Sequence, residues 1–214
     1  MRIIVPQKFN FQSVEGISKN QLTQHYQLYK GYVEKINLIW RKLKEEKFTK
    51  PNTTYSPYRC LKLGESYALN GVKLHELYFG NLGGDKNKAY GNLLEKIKKD
   101  FESFENWRQD FLDAGKSSRG WVVVAFDLID GQIRNYLCDA HDQGGIWNSL
   151  PILVLDVYEH AYMIDFGIDR NKYLNVFMQN IDWEVCEDRY NKILRHLQKT
   201  PPIPYPIPIP YWIK

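Results

Sequence analysis

Leu155-Asp156-Val157-Tyr158-Glu159-His160-Ala161-Tyr162 places three ionisable side chains within five residues, directly after the apolar run Ile152 to Leu155. That run is short, follows Pro151, and reads as a buried strand. A carboxylate and an imidazole at the end of a buried strand need a partner, because charge near a core is tolerated when paired or bound to metal. Asp156 and His160 offer one hard oxygen and one borderline nitrogen, a mix that suits iron, manganese or zinc. Taken alone, the same D-x-x-x-H spacing also reads as a structural ion pair at a strand end.

Working outward, the strand has company. Trp121 to Asp127 is dense in β-branched and aromatic residues and reads as a strand, Asp130-Gly131 is a hairpin turn signal, and Gln132 to Cys138 is its partner. Asp139 to Asn148 is a polar loop that carries His141, Gln143 and Gly144-Gly145, and Ile152 to Asp156 is the third strand. Two helices follow, at about Arg170 to Gln179 and Trp183 to Gln198. Residues 88 to 115 read as two shorter helices with Phe104 near their junction, ending at Gly115.

Toward the N-terminus the pattern changes period. Residues 1 to 18 look irregular, tied down by Phe9 and Phe11. Ser18 can cap a helix from about Lys19 to Lys44, because Leu22, Tyr26, Tyr29, Val33, Ile36, Ile39 and Trp40 recur at spacings of three and four. His25 falls beside this stripe, where a lone histidine is usually a satisfied core residue. After a polar loop through Pro51 and Asn52, a second helix spans about Tyr58 to Leu82, with Tyr67, Leu69, Val72, His75 and Phe79 on its buried side. Gly83-Gly84 stops it. The two helices read as an antiparallel hairpin with one imidazole on each arm. The order of helices, then helices and strands, then helices is an α+β arrangement.

Composition bounds the function classes. The 214 residues are 43% hydrophobic and 14% aromatic, with a net charge of +4. No Lys/Arg block marks a nucleic-acid arm, and no run nears the ~18 apolar residues of a membrane helix. The N-terminus Met1 to Pro6 lacks the apolar region of a secretory signal. Cys60, Cys138 and Cys186 are odd in number and widely spaced, which fits reduced, buried thiols in the cytoplasm.

Several ordered motifs now carry a resemblance. Asp156 to Tyr162 resembles the D-x-W-E-H-A-Y-Y signature of the iron/manganese superoxide dismutases. His75-Glu76-Leu77-Tyr78-Phe79-Gly80-Asn81-Leu82 resembles that family's H-x-x-F-W-x-N-L. Gly120-Trp121 sits where the family has G-S-G-W, and Asn180-Ile181-Asp182-Trp183 with Arg189-Tyr190 is similar to its closing N-x-x-N-W…R-Y. The resemblance covers about residues 8 to 196. It implies a helical hairpin domain over residues 1–84 and a second domain with a three-stranded antiparallel sheet over 85–199. The metal then lies between them.

The resemblance further implies that His25, His75, Asp156 and His160 bind one iron or manganese ion per subunit, with solvent as a fifth ligand. Superoxide is the implied substrate and a homodimer or higher homo-oligomer the implied assembly. The residue that donates to bound solvent is glutamine or histidine in the family. Gly71 occupies the helical position for the glutamine, so His141 is the expected donor, with Gln143 as the fallback. Trp121 and Tyr158 are expected to line the site. Glu159 is implied to reach His160 of the other subunit.

Three departures stand out. Tyr32 resembles the family's gateway tyrosine, but six residues separate it from His25 where the family usually has seven. A spacing of eight steps swings about 80° off the face of a regular helix and needs a local bulge, whereas seven steps does not. The first helix is therefore expected to be regular from His25 to Tyr32, with Tyr29 and Tyr32 both facing the cavity. Tyr29 and Met163 replace two family residues that meet across the dimer, and a contact between them is expected to persist with different chemistry. Finally, the tail from Pro201 to Trp212, with proline at nearly alternate positions, favours polyproline II. It reads as an extended arm packed on its own or a neighbouring subunit, or as a docking segment. With that tail, a non-catalytic metal-binding or scaffold protein of the same fold is the alternative to the enzyme.

Overall fold

The computed structural model describes residues 3–84 and 88–199. The stretch 200–214, including the proline-rich tail, lies outside the described residues.

The helical hairpin forms as its caps and stripes dictate. α1 spans Lys19–Glu45, and the Ser18 hydroxyl accepts from Gln21 N at 3.0 Å, satisfying a first-turn donor. α2 spans Pro57–Gly80, capped by Ser56, with Pro57 in the first turn where its missing N–H costs nothing. α1 buries Leu22, His25, Tyr29, Val33, Ile36 and Ile39 along one stripe. α1 is α-helical without interruption from Lys19 to Glu45, so the regular run expected between His25 and Tyr32 is present.

Beyond the hairpin come α3 (Gly91–Phe101), α4 (Phe104–Ser117), β1 (Trp121–Asp127), β2 (Ile133–Cys138), β3 (Ser149–Asp156), α5 (Glu159–Phe166), α6 (Arg170–Gln179) and α7 (Trp183–Lys199). The sheet order is β2-β1-β3, antiparallel throughout. β1 is the middle strand and is apolar on both faces, since helices pack over it. Its first residue, Trp121, sits opposite Cys138 on β2 and Asp156 on β3. This register brings the loop after β2 and the end of β3 to one edge, where the site forms. α2 and α7 pack on β3, and α5 leans on α1.

Some expectations are corrected. β3 begins at Ser149, before Pro151, and the register shift between Val124 and Ala125 absorbs the proline, which has no N–H for the ladder. Gly115 lies inside α4, where a Cβ would come within 2.8 Å of Leu174 Cδ2; it is there for close packing, not as a stop. α5 was not expected at all. Its eight residues are too few to display a period, and it begins within the metal motif. Cys60 is exposed, while Cys138 and Cys186 are buried as expected.

Long-range polar contacts lock the helices to the sheet. Asn81, the C-cap of α2, donates through Nδ2 to Val154 O and accepts Val154 N–H. Arg189 on α7 donates to Asn81 Oδ1, Ile152 O and Leu77 O. α3 has no cap of its own; Glu187 of α7 accepts the N–H groups of Asn92 and Leu93 at 2.9 and 2.8 Å. A carboxylate there satisfies two orphan donors and complements the helix dipole.

Candidate metal centre

His25 on α1, His75 on α2, Asp156 at the end of β3 and His160 in the first turn of α5 converge, with one ligating atom from each within 4.8 Å of the others. One oxygen is common to three contacts: Asp156 Oδ2 lies 3.1 Å from His25 Nε2, 3.2 Å from His160 Nε2 and 3.7 Å from His75 Nε2. Ligands held ~2.0–2.2 Å from one ion stand at such separations from each other. Asp156, His25 and His75 are buried, and the His160 side chain keeps 26% of its surface exposed.

Each ligand is held by its neighbours. Asp156 Oδ1 accepts Tyr158 N–H at 2.9 Å, which leaves Oδ2 to face the imidazoles. The Tyr173 hydroxyl donates to Asp156 O at 2.7 Å and is itself paired with Tyr78. Gln21, fully buried on α1, donates to His160 O at 2.6 Å and accepts Ile164 N–H at 3.0 Å, clamping α5 to α1. His75 Nδ1 donates to Gly71 O at 2.6 Å.

That last bond tests whether the residues fit a cation. With its hydrogen on Nδ1, neutral His75 carries a lone pair on Nε2, and Nε2 has no hydrogen-bond partner. The imidazole cannot gain a second proton to satisfy itself, since burial pushes its pKa down to about 3. A buried lone pair therefore faces a carboxylate oxygen, and an ion between them resolves the repulsion. Burial also lowers His25. Burial would raise Asp156, but His160 and His25 beside it hold its carboxyl well below the usual range. Burial opposes the charge on His160 as well, but Asp156 outweighs it and raises the imidazole.

Around the ligands, His141 is buried although it lies in a loop. Trp121 Nε1 donates to His141 Nδ1 at 2.9 Å, so the ring hydrogen is on Nε2, which donates to the Tyr32 hydroxyl at 2.8 Å. Burial holds His141 near a pKa of about 4 and thus neutral. The Tyr32 ring stands 5.4 Å from that of His75, inside the cavity. Gly71 makes this possible: a Cβ there would meet Tyr32 Cδ1 at 3.0 Å and His141 Cδ2 at 3.3 Å. The Tyr158 ring stacks on His160 at 5.2 Å and closes the other side.

Not every expected residue joins. Gln143 is exposed, with its backbone N–H turned to Ala140 O; His141 lies among the site residues, but Trp121 and Tyr32 engage both of its ring nitrogens, so the donor expected for bound solvent is given to Tyr32. The Tyr29 ring lies 6.3 Å from that of His75, but its hydroxyl is engaged elsewhere. It is fully buried; its hydroxyl donates to Glu76 at 2.8 Å and accepts Gln7 N–H at 2.9 Å. It fastens the N-terminal segment to the hairpin instead. Glu159 is exposed at the start of α5 and Met163 is 42% exposed. Tyr67, expected on the buried side of α2, is 38% exposed, yet its ring lies 4.5 Å from His141. The signal for it was spacing: Tyr67, Gly71 and His75 follow one another at four-residue steps on one face.

The fold brings three imidazoles and one carboxylate together between a helical hairpin and a three-stranded sheet, a group that could hold a single metal ion. Residues 89–189 match the family of iron/manganese superoxide dismutases, C-terminal domain. The chain is 37% identical over 189 residues to the superoxide dismutase [Fe] of Aquifex aeolicus (strain VF5), covering 86% of this chain and 89% of that protein. It is 33% identical over 193 residues to superoxide dismutase [Mn] 1 of Halobacterium salinarum, covering 87% and 94%. With the superoxide dismutase [Fe] of Cupriavidus metallidurans it shares 35% over 185 residues, 84% of this chain and 91% of that one. The chain belongs to the iron/manganese superoxide dismutase family.

Proposed function

We propose that His25, His75, Asp156 and His160 hold one iron or manganese ion and that the enzyme disproportionates superoxide to oxygen and hydrogen peroxide. The observation that carries the ligand assignment is the unpartnered His75 Nε2 aimed at Asp156 Oδ2. When bound, the ion supplies a one-electron couple between M(II) and M(III). Three neutral imidazoles and one carboxylate leave the centre singly or doubly positive, a charge that attracts a small anion. Zinc fits the same donors but has no such couple.

The residues of the chain supply the rest. Asp156 and the imidazoles fix the ion, and Tyr158 N–H and Tyr173 fix Asp156. Trp121 sets the tautomer of His141, and His141 then orients the Tyr32 hydroxyl. Tyr32 stays a neutral phenol at physiological pH, since burial and then the Tyr67 phenol raise its pKa well above the usual range. Tyr32 is therefore a standing proton donor at the cavity, and His141 its positioning residue. Peroxide needs two protons, and a positioned donor shortens that step. The experiment is superoxide dismutation by metal-analysed protein reconstituted with iron, manganese or zinc. Turnover with iron or manganese and none with zinc supports the reading; equal turnover with zinc contradicts it.

The assembly is read as a homodimer. Exposed Glu159, Met163 and Ile164 flank the partly exposed His160 on α5, which supports a partner seated there. The three cysteines are free, which supports the cytoplasm as the compartment. No helix among the described residues is long and apolar enough to cross a membrane. Sedimentation of the wild type and Glu159→Ala tests the dimer.

A further inference from the structure

Outside the metal centre, α3, α4, α6 and the start of α7 enclose a groove of about 700 Å³, and none of its lining residues is among the four ligands. That size suits a small molecule. Phe104 and Trp183 line it and meet edge to face at 5.7 Å, and the half-buried Met178 of α6 lines it too. The buried Trp107 backs the aromatic pair, 5.1 Å from Phe104 and 5.6 Å from Trp183, so these rings are held in place.

The charge in this groove is unbalanced. Lys88, Lys98 and Arg108 line it, and Glu105 is the one carboxylate there among the described residues. Lys98 pairs with Glu95 at 2.9 Å, but both are exposed and solvent weakens such a pair. Arg108 is different. It is half-buried, and among the described residues its guanidinium makes no hydrogen bond and no ion pair, not even with Glu105 one turn earlier on α4. A guanidinium presents its donors in a planar fork that matches a carboxylate. Beside it, the aromatic and thioether walls suit a flat apolar body. Glu105 disfavours a doubly charged head such as a phosphate monoester, which leaves a single carboxylate as the best fit.

We propose that this groove binds a small aromatic carboxylate. Arg108 takes the carboxylate through both of its oxygens, and the ring lies against Phe104, Met178 and Trp183. Lys88 and Lys98 add attraction at longer range. The assignment goes beyond superoxide chemistry and does not depend on it, since no ligand or cavity residue of the metal centre takes part.

The test is calorimetric titration of the full chain with naphthalene-2-carboxylate, 2-naphthamide and inorganic phosphate. One saturable site per chain is expected for the carboxylate, with the neutral amide weaker by roughly tenfold or more and phosphate weaker still. Arg108→Gln should weaken the carboxylate by roughly tenfold or more, the loss of a charge-assisted pair, and leave the amide unchanged. Met178→Trp, which fills the groove, should remove both. Glu105→Gln should tighten the carboxylate, a gain that a merely destabilised variant would not give. Equal affinity for carboxylate and amide would reveal an apolar patch, and equal affinity for carboxylate and phosphate a bare positive field; either overturns the proposal. Binding unchanged by Arg108→Gln and Met178→Trp would place the probe elsewhere, the metal centre included, and overturns it as well. So do an affinity that falls as protein concentration rises, which would mean that a second copy covers the groove, and an absence of saturable binding, as when the 200–214 stretch fills it.

Discussion

His75 Nδ1 donates to the carbonyl of Gly71, one helical turn earlier on α2, at 2.6 Å. This bond decides which nitrogen the imidazole offers to the cavity. Gly71 has a second task, since its missing Cβ gives Tyr32 and His141 their place. The same residue thus sets a ligand and the proton donor beside it.

Gly71→Ala separates these tasks. The backbone carbonyl remains, so metal content should stay near the wild type. The methyl group would stand 3.0 Å from Tyr32 and 3.3 Å from His141, tighter than packing allows. Turnover should fall by tenfold or more, on the order of one displaced proton donor. Metal analysis paired with turnover checks this; loss of metal with intact turnover per ion would contradict it.

Tyr29→Phe should leave turnover unchanged, because the hydroxyl faces Glu76 and Gln7 and not the cavity. Two hydrogen bonds are lost, one of them to a carboxylate, so stability should fall by about 1–3 kcal/mol. Amide exchange should rise at Gln7 and its neighbours. A drop in turnover without a change in metal content would contradict this placement of Tyr29.

Acid should destabilise the metal-free protein well before its carboxylates titrate. His75 falls from its ordinary 6.5 to about 3 and His141 to about 4, so the fold keeps both neutral, and burial lowers His25 too. Below pH ~6.5 the unfolded chain binds protons that the fold refuses, so stability drops as pH falls from 6.5 toward 4. His160 has the opposite sign: its raised value contributes fully below 6.5 and loses that contribution only as pH rises above it. It therefore does not offset the loss in this window. Calorimetry between pH ~6.5 and ~4.5 should show a falling Tm; a flat profile would contradict the neutral assignments.

Glu187→Gln should cost stability without touching the site. The carboxylate caps α3 through Asn92 N–H and Leu93 N–H, and the amide retains one acceptor oxygen. The expected loss is about 0.5–2 kcal/mol, a Tm shift of roughly 1–8 °C for a chain of this size, with metal content and turnover unchanged.

Much of this was legible in the sequence for physical reasons. Asp156 and His160 stood out as ionisable residues directly after an apolar run, while His25 and His75 became candidates only through the motifs that resemble the family's. The regular helix between His25 and Tyr32 followed from counting residues. Other features had no local signature. Glu187 caps a helix 94 residues away from Leu93, a contact that only the tertiary fold creates. The Tyr29 hydroxyl pairs with Glu76 across the hairpin, a contact between helices that no local pattern announces. α5 is too short to show a period. Tyr67 did have a spacing signal, four residues before Gly71 and eight before His75, but it is part-exposed and so differs from the buried position expected for it.

The central claim is that Asp156 and three imidazoles hold one redox-active ion. The most direct measurement is X-ray absorption, with metal quantification, on natively expressed wild type and Asp156→Ala. The account predicts about one iron or manganese per chain in the wild type, with a shell of nitrogen and oxygen at ~2.0–2.2 Å, and loss of that metal and of turnover in Asp156→Ala. An Asp156→Ala protein that keeps its metal with the same nitrogen and oxygen shell would contradict it.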